Sequence, residues 1–199
     1  MAKRIFDLTL TIPGLIFLSP LFVIVMLLIK RDSAGPVFFR QVRLGRHGRP
    51  FHIFKFRTMV VDADRVGAQI TPDNDARITR VGHFLRKCKL DELPQLFNVL
   101  RGEMSLVGPR PEVPRYVALY SPDQRRVLEQ IPGITDPASI RYSKEGEILS
   151  AALDPEAVYV QTIMPDKVRL NLEYAGNATV LSDFLIVLKT IGRLVRTRG

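Results

Sequence analysis

The chain has 199 residues, enough for one domain with a substantial core and few for two. Twenty-nine Lys and Arg against twenty Asp and Glu leave a net charge of +9, yet 46% of the residues are hydrophobic. That combination favours an anionic membrane surface over free nucleic acid, and the lone Cys88 excludes an internal disulfide.

The first element is apolar. From Ile5 to Ile29 the chain reads IFDLTLTIPGLIFLSPLFVIVMLLI, and as one helix it would reach about 37 Å, enough to cross a bilayer. Two features argue against a straight span. Pro20 follows Ser19 near the middle, with Pro13-Gly14 as a second weak point, and proline removes a helical donor. Lys3-Arg4 and Lys30-Arg31 also put positive charge at both ends, where a spanning helix favours it at one. A helix that enters, bends at Ser19-Pro20 and returns to the same face meets both observations, with the Ser19 hydroxyl serving a freed backbone group. Asp7 is expected to pair with Lys3 or Arg4 one turn earlier.

Residues 36–59 read as two β-rich runs joined by the turn LGRHGRP. In a strand, Lys55 and Arg57 would share one face and Phe54 and Phe56 the other. Residues 60–77 are polar and read as loop. They contain Asp62-Ala-Asp64 and Asp73-Asn-Asp75, each matching a short metal-binding Asp-x-Asp pattern that chance readily supplies. Ile78, Val81, Leu85 and Cys88 have helical spacing, and a second helix is expected over 91–100. The run GEMSLVGPRP breaks the period as a tight loop would. Helical patterns follow near 112–130 and 155–175. In the last stretch Leu181, Phe184, Leu185, Leu188, Ile191 and Val195 form one stripe, with Lys189, Arg193, Arg196 and Arg198 mainly elsewhere. That is an interfacial amphipathic helix, or a core-facing one with a solvated basic face.

The stretch LRKCKLDELPQLFNVLRGEMSLVGPRP holds the chemistry. Asp91 and Glu92 follow Arg86, Lys87 and Lys89, and Arg110 sits between prolines. Asp91 as a helix cap with Glu92 in the first turn explains the pair structurally. The surplus of cations, together with Arg110 and Lys55, points instead to an anionic substrate. A carboxylate that attacks phosphorus needs its diphosphate neutralised, itself held in line, and a second carboxylate for a metal.

Ser19-Pro20, FHIFKFRTM, the LDELPQLFNVLRGEMSLVGPRP block and PGIT together resemble the bacterial sugar transferase family, the monotopic phosphoglycosyl transferases, in order along nearly the whole chain. The chain looks like the small minimal-core form. The resemblance implies that Asp91 attacks the β-phosphate of a UDP-sugar, releases UMP and holds the sugar phosphate covalently. Undecaprenyl phosphate then takes the sugar phosphate. It implies that Glu92 binds Mg²⁺ and that Lys55, Arg86 and Arg110 are substrate-binding, with Asp183 matching a further family carboxylate. After PGIT the chain departs from the family's Gly-rich continuation and reads DPASIRYSKEGEIL, where Arg141 is the candidate replacement cation and sugar identity is put in doubt.

The resulting expectation is a mainly α fold with a small β-hairpin: a monotopic membrane protein with interfacial amphipathic helices. Residues 1–31 form the re-entrant membrane helix, bent at Ser19-Pro20. Residues 32–199 form a cytoplasmic catalytic domain at the bacterial inner membrane, ending in the amphipathic helix. Expected partners are a UDP-sugar, undecaprenyl phosphate and membrane lipid, not nucleic acid; a homodimer and downstream glycosyltransferases are the candidate protein partners. A membrane-anchored scaffold and an Asp-x-Asp metal-dependent glycosyltransferase stay open as alternatives.

Overall fold

The computed structural model describes residues 1–63 and 75–196, with side chains through Arg193. Helix α1, Ala2–Asp32, carries the apolar segment as a single helix through Pro13 and Pro20, so the expected bend is not a break in helical structure. Pro20 has no N–H, which leaves the Ile16 carbonyl without its usual donor. The Ser19 hydroxyl takes that place over 2.8 Å, as its position beside the proline suggested.

One stripe of α1 faces the rest of the chain: Asp7 and Thr11 near the start, Phe22, Val25 and Ile29 near the end. The three apolar residues pack with Phe56 and Leu85. Ile5, Leu10, Ile12, Ile16, Phe17, Val23, Ile24 and Leu27 remain exposed on the other faces. The helix is long and apolar enough to cross a membrane. Both of its ends are nevertheless tied to the globular body. Near the start, Lys3 pairs with Asp183 and Arg4 donates to the Leu100 carbonyl at 2.9 Å. At the far end the Asp32 carboxylate accepts from Val81 N at 3.0 Å, and Arg57 donates to the Ser33 and Ala34 carbonyls, each at 2.7 Å.

Two expectations change here. Asp7 does not pair with Lys3 or Arg4; it accepts from the Ser105 hydroxyl and Leu106 N, because it is buried against the loop those residues form. Arg57 does not share a strand face with Lys55. It lies beyond the strand end and is consumed in closing the end of α1.

Strands β1, Phe38–Leu44, and β2, Pro50–Phe56, form the expected antiparallel hairpin, with Arg40 opposite Phe54 and Phe39 opposite Lys55. Helix α2, Arg80–Lys87, is capped by Thr79, whose hydroxyl accepts from Gly82 N. A single 3₁₀ turn, Leu90–Glu92, then precedes α3, Gln95–Arg101, which Gly102 ends at φ 81°. Asp91 therefore does not begin a helix: Pro94 separates its turn from α3.

Strand β3, Ser105–Val107, pairs in parallel with β4, Gly133–Thr135. The next backbone approach is close enough to demand glycine, since a Cβ on Gly133 would lie 2.1 Å from Gly108 N. The helical pattern near 112–130 resolves into short pieces started by prolines, α4 (Pro114–Val117) and α5 (Pro122–Arg125), and a 3₁₀ turn at Arg126–Glu129. Then come α6 (Pro137–Arg141), α7 (Glu145–Ser150) and α8 (Pro155–Val158), and a π turn at Tyr159–Ile163 leads into α9, Met164–Gly176. Tyr116, Val127, Tyr159, Ile163 and Val168 form the core of this half.

In helix α10, Val180–Arg196, the apolar stripe does not face the core. Leu181, Phe184, Leu185, Leu188 and Ile191 are exposed, while Asp183 is buried and Thr190 bonds Thr135 across 2.7 Å. The apolar stripe faces outward.

Candidate active site

The site starts from a turn. Lys89 closes α2 in the left-handed region at φ 54°, a conformation that costs a non-glycine residue on the order of 1 kcal/mol. The 3₁₀ turn that follows carries Asp91 inward, where it is 8% exposed and its Oδ1 is enclosed with no hydrogen-bond partner. Its neighbour Glu92 is fully engaged. Lys55, from β2, donates to Glu92 Oε1 at 2.9 Å; Arg110 Nη1 donates to Oε2 at 3.0 Å and its Nη2 to Oε1. The two carboxylates thus share a turn but not an environment.

The loop after β3 aims Arg110. Its backbone N donates to Asp136 Oδ2 at 2.9 Å, while Asp136 Oδ1 caps α6 through Ser139 N. Proline on either side fixes φ and removes competing donors. One buried carboxylate therefore holds the Arg110 loop and the start of α6 together.

The electrostatics separate the pair. Burial, and then the charge on Glu92, push the Asp91 carboxyl up; Lys55, Lys89 and Arg86 pull the other way. Burial alone would raise Glu92 too, but the charges of Arg110 and Lys55 outweigh it and hold Glu92 well below the usual carboxylate range. Burial lowers Lys55 despite the opposing charge of Glu92, whereas Glu92 raises Arg110. Glu92 is accordingly a fixed anion, already neutralised, beside a carboxylate with one oxygen that no hydrogen bond occupies. A dehydrated carboxylate is a stronger nucleophile than a hydrated one, and the surrounding cations suit an approaching phosphate.

Arg86, in the last turn of α2, contributes charge at Asp91. Arg141 is on α6 with its Nε 3.3 Å from Asp166. Asp183 is 1% exposed and joins Lys3 of α1 to the Tyr174 hydroxyl of α9. Asp64 and Asp73 fall outside the described residues. Asp75 is occupied by Arg77, 2.6 Å from its Nη2, and lowered to about 2 chiefly by that bond, so it is poorly placed to take a metal. Cys88 is half-buried at the end of α2.

The order of motifs agrees with a comparison of the whole chain. The family model for bacterial sugar transferases matches residues 1–197. The chain belongs to the bacterial sugar transferase family. It is 42% identical over 206 residues to the undecaprenyl-phosphate glucose phosphotransferase of Komagataeibacter xylinus, covering the whole of this chain and 37% of that protein. It is 37% identical over 214 residues to the exopolysaccharide production protein ExoY of Sinorhizobium fredii, covering this chain fully and 88% of the relative. A UDP-glucose:undecaprenyl-phosphate glucose-1-phosphate transferase of Caulobacter vibrioides is 36% identical over 200 residues, 99% of this chain and 71% of that one. The chain thus spans little more than a third of the first of these relatives and most of the others.

In this sugar transferase several site-forming residues carried no signal in the sequence. Asp136 could have been suspected only as the cap before Pro137. Gln95 opens α3 four residues after Asp91, is 1% exposed, and has both amide atoms unpartnered. Asn98 accepts from Phe54 N and donates to the His52 carbonyl and to Glu103, locking β2 to α3. Glu112 accepts from Arg43 at 3.2 Å and from the Tyr159 hydroxyl, bracing the loop beyond Arg110.

Proposed function

We propose that this sugar transferase is a monotopic enzyme that moves a sugar 1-phosphate from a UDP-sugar to undecaprenyl phosphate. Asp91 carries the reading: a buried carboxylate with an unpartnered oxygen, set beside a Glu92 whose charge Lys55 and Arg110 already balance. An Asp91 oxygen attacks the β-phosphorus, and the bond to the bridging oxygen breaks. UMP leaves with that oxygen. An oxygen of undecaprenyl phosphate then attacks the same phosphorus and releases Asp91, so two in-line displacements regenerate the carboxylate.

Lys55 and Arg110 hold the turn and offer positive charge to the diphosphate; Arg86 and Lys89 add charge near the attacking oxygen. Mg²⁺ fits as a shared rather than a caged ion. Among the described residues no cluster of three metal-ligating side chains exists, but Mg²⁺ commonly takes one or two carboxylates and completes its shell with phosphate and water. Glu92 Oε2, with one lone pair beyond its Arg110 bond, is the candidate protein contribution. The ion would neutralise diphosphate charge.

Two helices, α1 and α10, support the membrane placement. Both ends of α1 engage the same body, its outer surface is apolar, and α10 turns its own apolar stripe outward. These features support a re-entrant or in-plane α1, with the catalytic domain on the cytoplasmic face of the inner membrane, where nucleotide sugars and anionic lipid are available. Purified protein given Mg²⁺, undecaprenyl phosphate and a panel of UDP-sugars should release UMP with at least one sugar. No UMP with any of them would count against the reading.

A further inference from the structure

A second feature lies away from the carboxylate turn. Phe38 and Arg40 of β1, Phe54 of β2, and Phe97, Leu100 and Arg101 of α3 line a groove of about 260 Å³. The Arg40 and Arg101 guanidinium carbons stand 5.0 and 4.8 Å from the centre of the same Phe54 ring. Ring faces attract cations, but two like charges drawn to one ring repel each other. Both arginines are exposed, and among the described residues neither has an acidic partner. Two cations therefore adjoin one apolar ring with their counter-charge left to come from outside.

The lining narrows the occupant. It contains no carboxylate, hydroxyl or amide side chain that would read a sugar or a base. Its floor runs toward the membrane helix, since the Phe97 ring packs edge-on to Phe22 of α1 at 5.7 Å. Leu100 is exposed at the lip, and its carbonyl accepts from Arg4 of α1. A ligand that suits it has a negatively charged phosphate at one end and hydrocarbon at the other. Phe54 faces with Arg40, whereas Lys55 points to the opposite face of the hairpin, so this groove and the Glu92 ion pairs are separate.

We propose that this groove binds one anionic phospholipid of the bilayer, its phosphate drawn to Arg40 and Arg101 of the lining and part of an acyl chain against Phe38, Phe97 and Leu100. The inference rests on the membrane placement of α1 but not on the chemistry of Asp91. Bound there, the lipid would fix the depth of the hairpin against the headgroups and so the height of Lys55 above the membrane.

The test is native mass spectrometry of the full chain in detergent with equal amounts of phosphatidylglycerol and phosphatidylcholine. The wild type should retain one phosphatidylglycerol preferentially. Arg40→Gln with Arg101→Gln should lower that retention on the order of tenfold or more, taking about 1 kcal/mol per basic residue near a lipid surface. Arg49→Gln with Arg126→Gln, two exposed arginines elsewhere, removes the same charge and should keep the lipid. Equal retention in both double variants, or equal loss in both, overturns the site. So does unchanged phosphatidylglycerol retention with a raised KM for undecaprenyl phosphate in the groove variant, which would make the acceptor the occupant. Membrane association through α1 should persist in every variant, so failure of this proposal is distinguishable from failure of the membrane reading.

Discussion

Lys55 Nζ lies 2.9 Å from Glu92 Oε1, and that ion pair joins the hairpin to the turn that carries Asp91. With Arg110 on the same carboxylate, Glu92 organises two cations that would otherwise repel each other. Glu92→Gln should leave both cations without a counter-charge in a half-buried setting. Breaking a fully buried pair from one side costs about 3–5 kcal/mol and an exposed one less than about 1, so chemical denaturation should show a loss between these limits together with lost turnover. A stable Glu92→Gln protein with normal activity would remove Glu92 from the account.

The neighbouring carboxylate predicts the opposite stability effect. Burial raises Asp91 and leaves one oxygen unpartnered, so its charge works against folding at neutral pH. Asp91→Asn should abolish turnover while stability stays equal or rises by up to about 1 kcal/mol. Thermal unfolding of the detergent-solubilised variant provides the comparison.

The pH profile has a definite sign. Attack needs the Asp91 carboxylate, and its pKa is raised, so kcat/KM should fall on the acid side at a pH above the ordinary Asp range. Lys55 lowers Asp91, so Lys55→Met should move that acid limb to higher pH in whatever activity survives. A limb that stays in place would separate Lys55 from the attacking group.

Ser19 and Pro20 should behave as a coupled pair. Ser19→Ala strips the Ile16 carbonyl of its donor and should cost about 1–2 kcal/mol in an apolar setting. Pro20→Ala restores a backbone N–H, so the same Ser19→Ala change should cost almost nothing in that background. A double-mutant cycle on thermal stability measures the coupling; additive effects would show that the hydroxyl has no such role.

Asp183 joins α1, α9 and α10 through Lys3 and Tyr174. Asp183→Asn should loosen α10, seen as faster proteolysis there, with KM for the UDP-sugar changed less than twofold in the folded enzyme. A large KM change without faster proteolysis would instead place Asp183 in substrate binding, as the resemblance implied.

Much of this arrangement was legible in the sequence because its signals are local. The hairpin follows from alternation around LGRHGRP, and the apolar stripe of α10 from helical spacing, which left open the side it faces. Ser19 serving Ile16 follows from what proline removes. What could not be read were partners chosen across long separations. Asp7 prefers Ser105 and Leu106 to its own helix neighbours, and Arg57 is spent on the end of α1. Asp136 positions Arg110 from 26 residues away. At Asp91 the local pattern suggested a helix start, but Lys89 and Pro94 set a separate 3₁₀ turn, which buries the carboxylate rather than exposing it as a cap.

The central claim is that Asp91 carries the sugar phosphate. The most direct test is intact-mass measurement on purified enzyme incubated with the UDP-sugar that supports UMP release, with undecaprenyl phosphate withheld. A mass increase equal to one sugar phosphate is expected, absent in Asp91→Asn and discharged when undecaprenyl phosphate is added. UMP release with no adduct at any time, or an adduct that persists in Asp91→Asn, would contradict it.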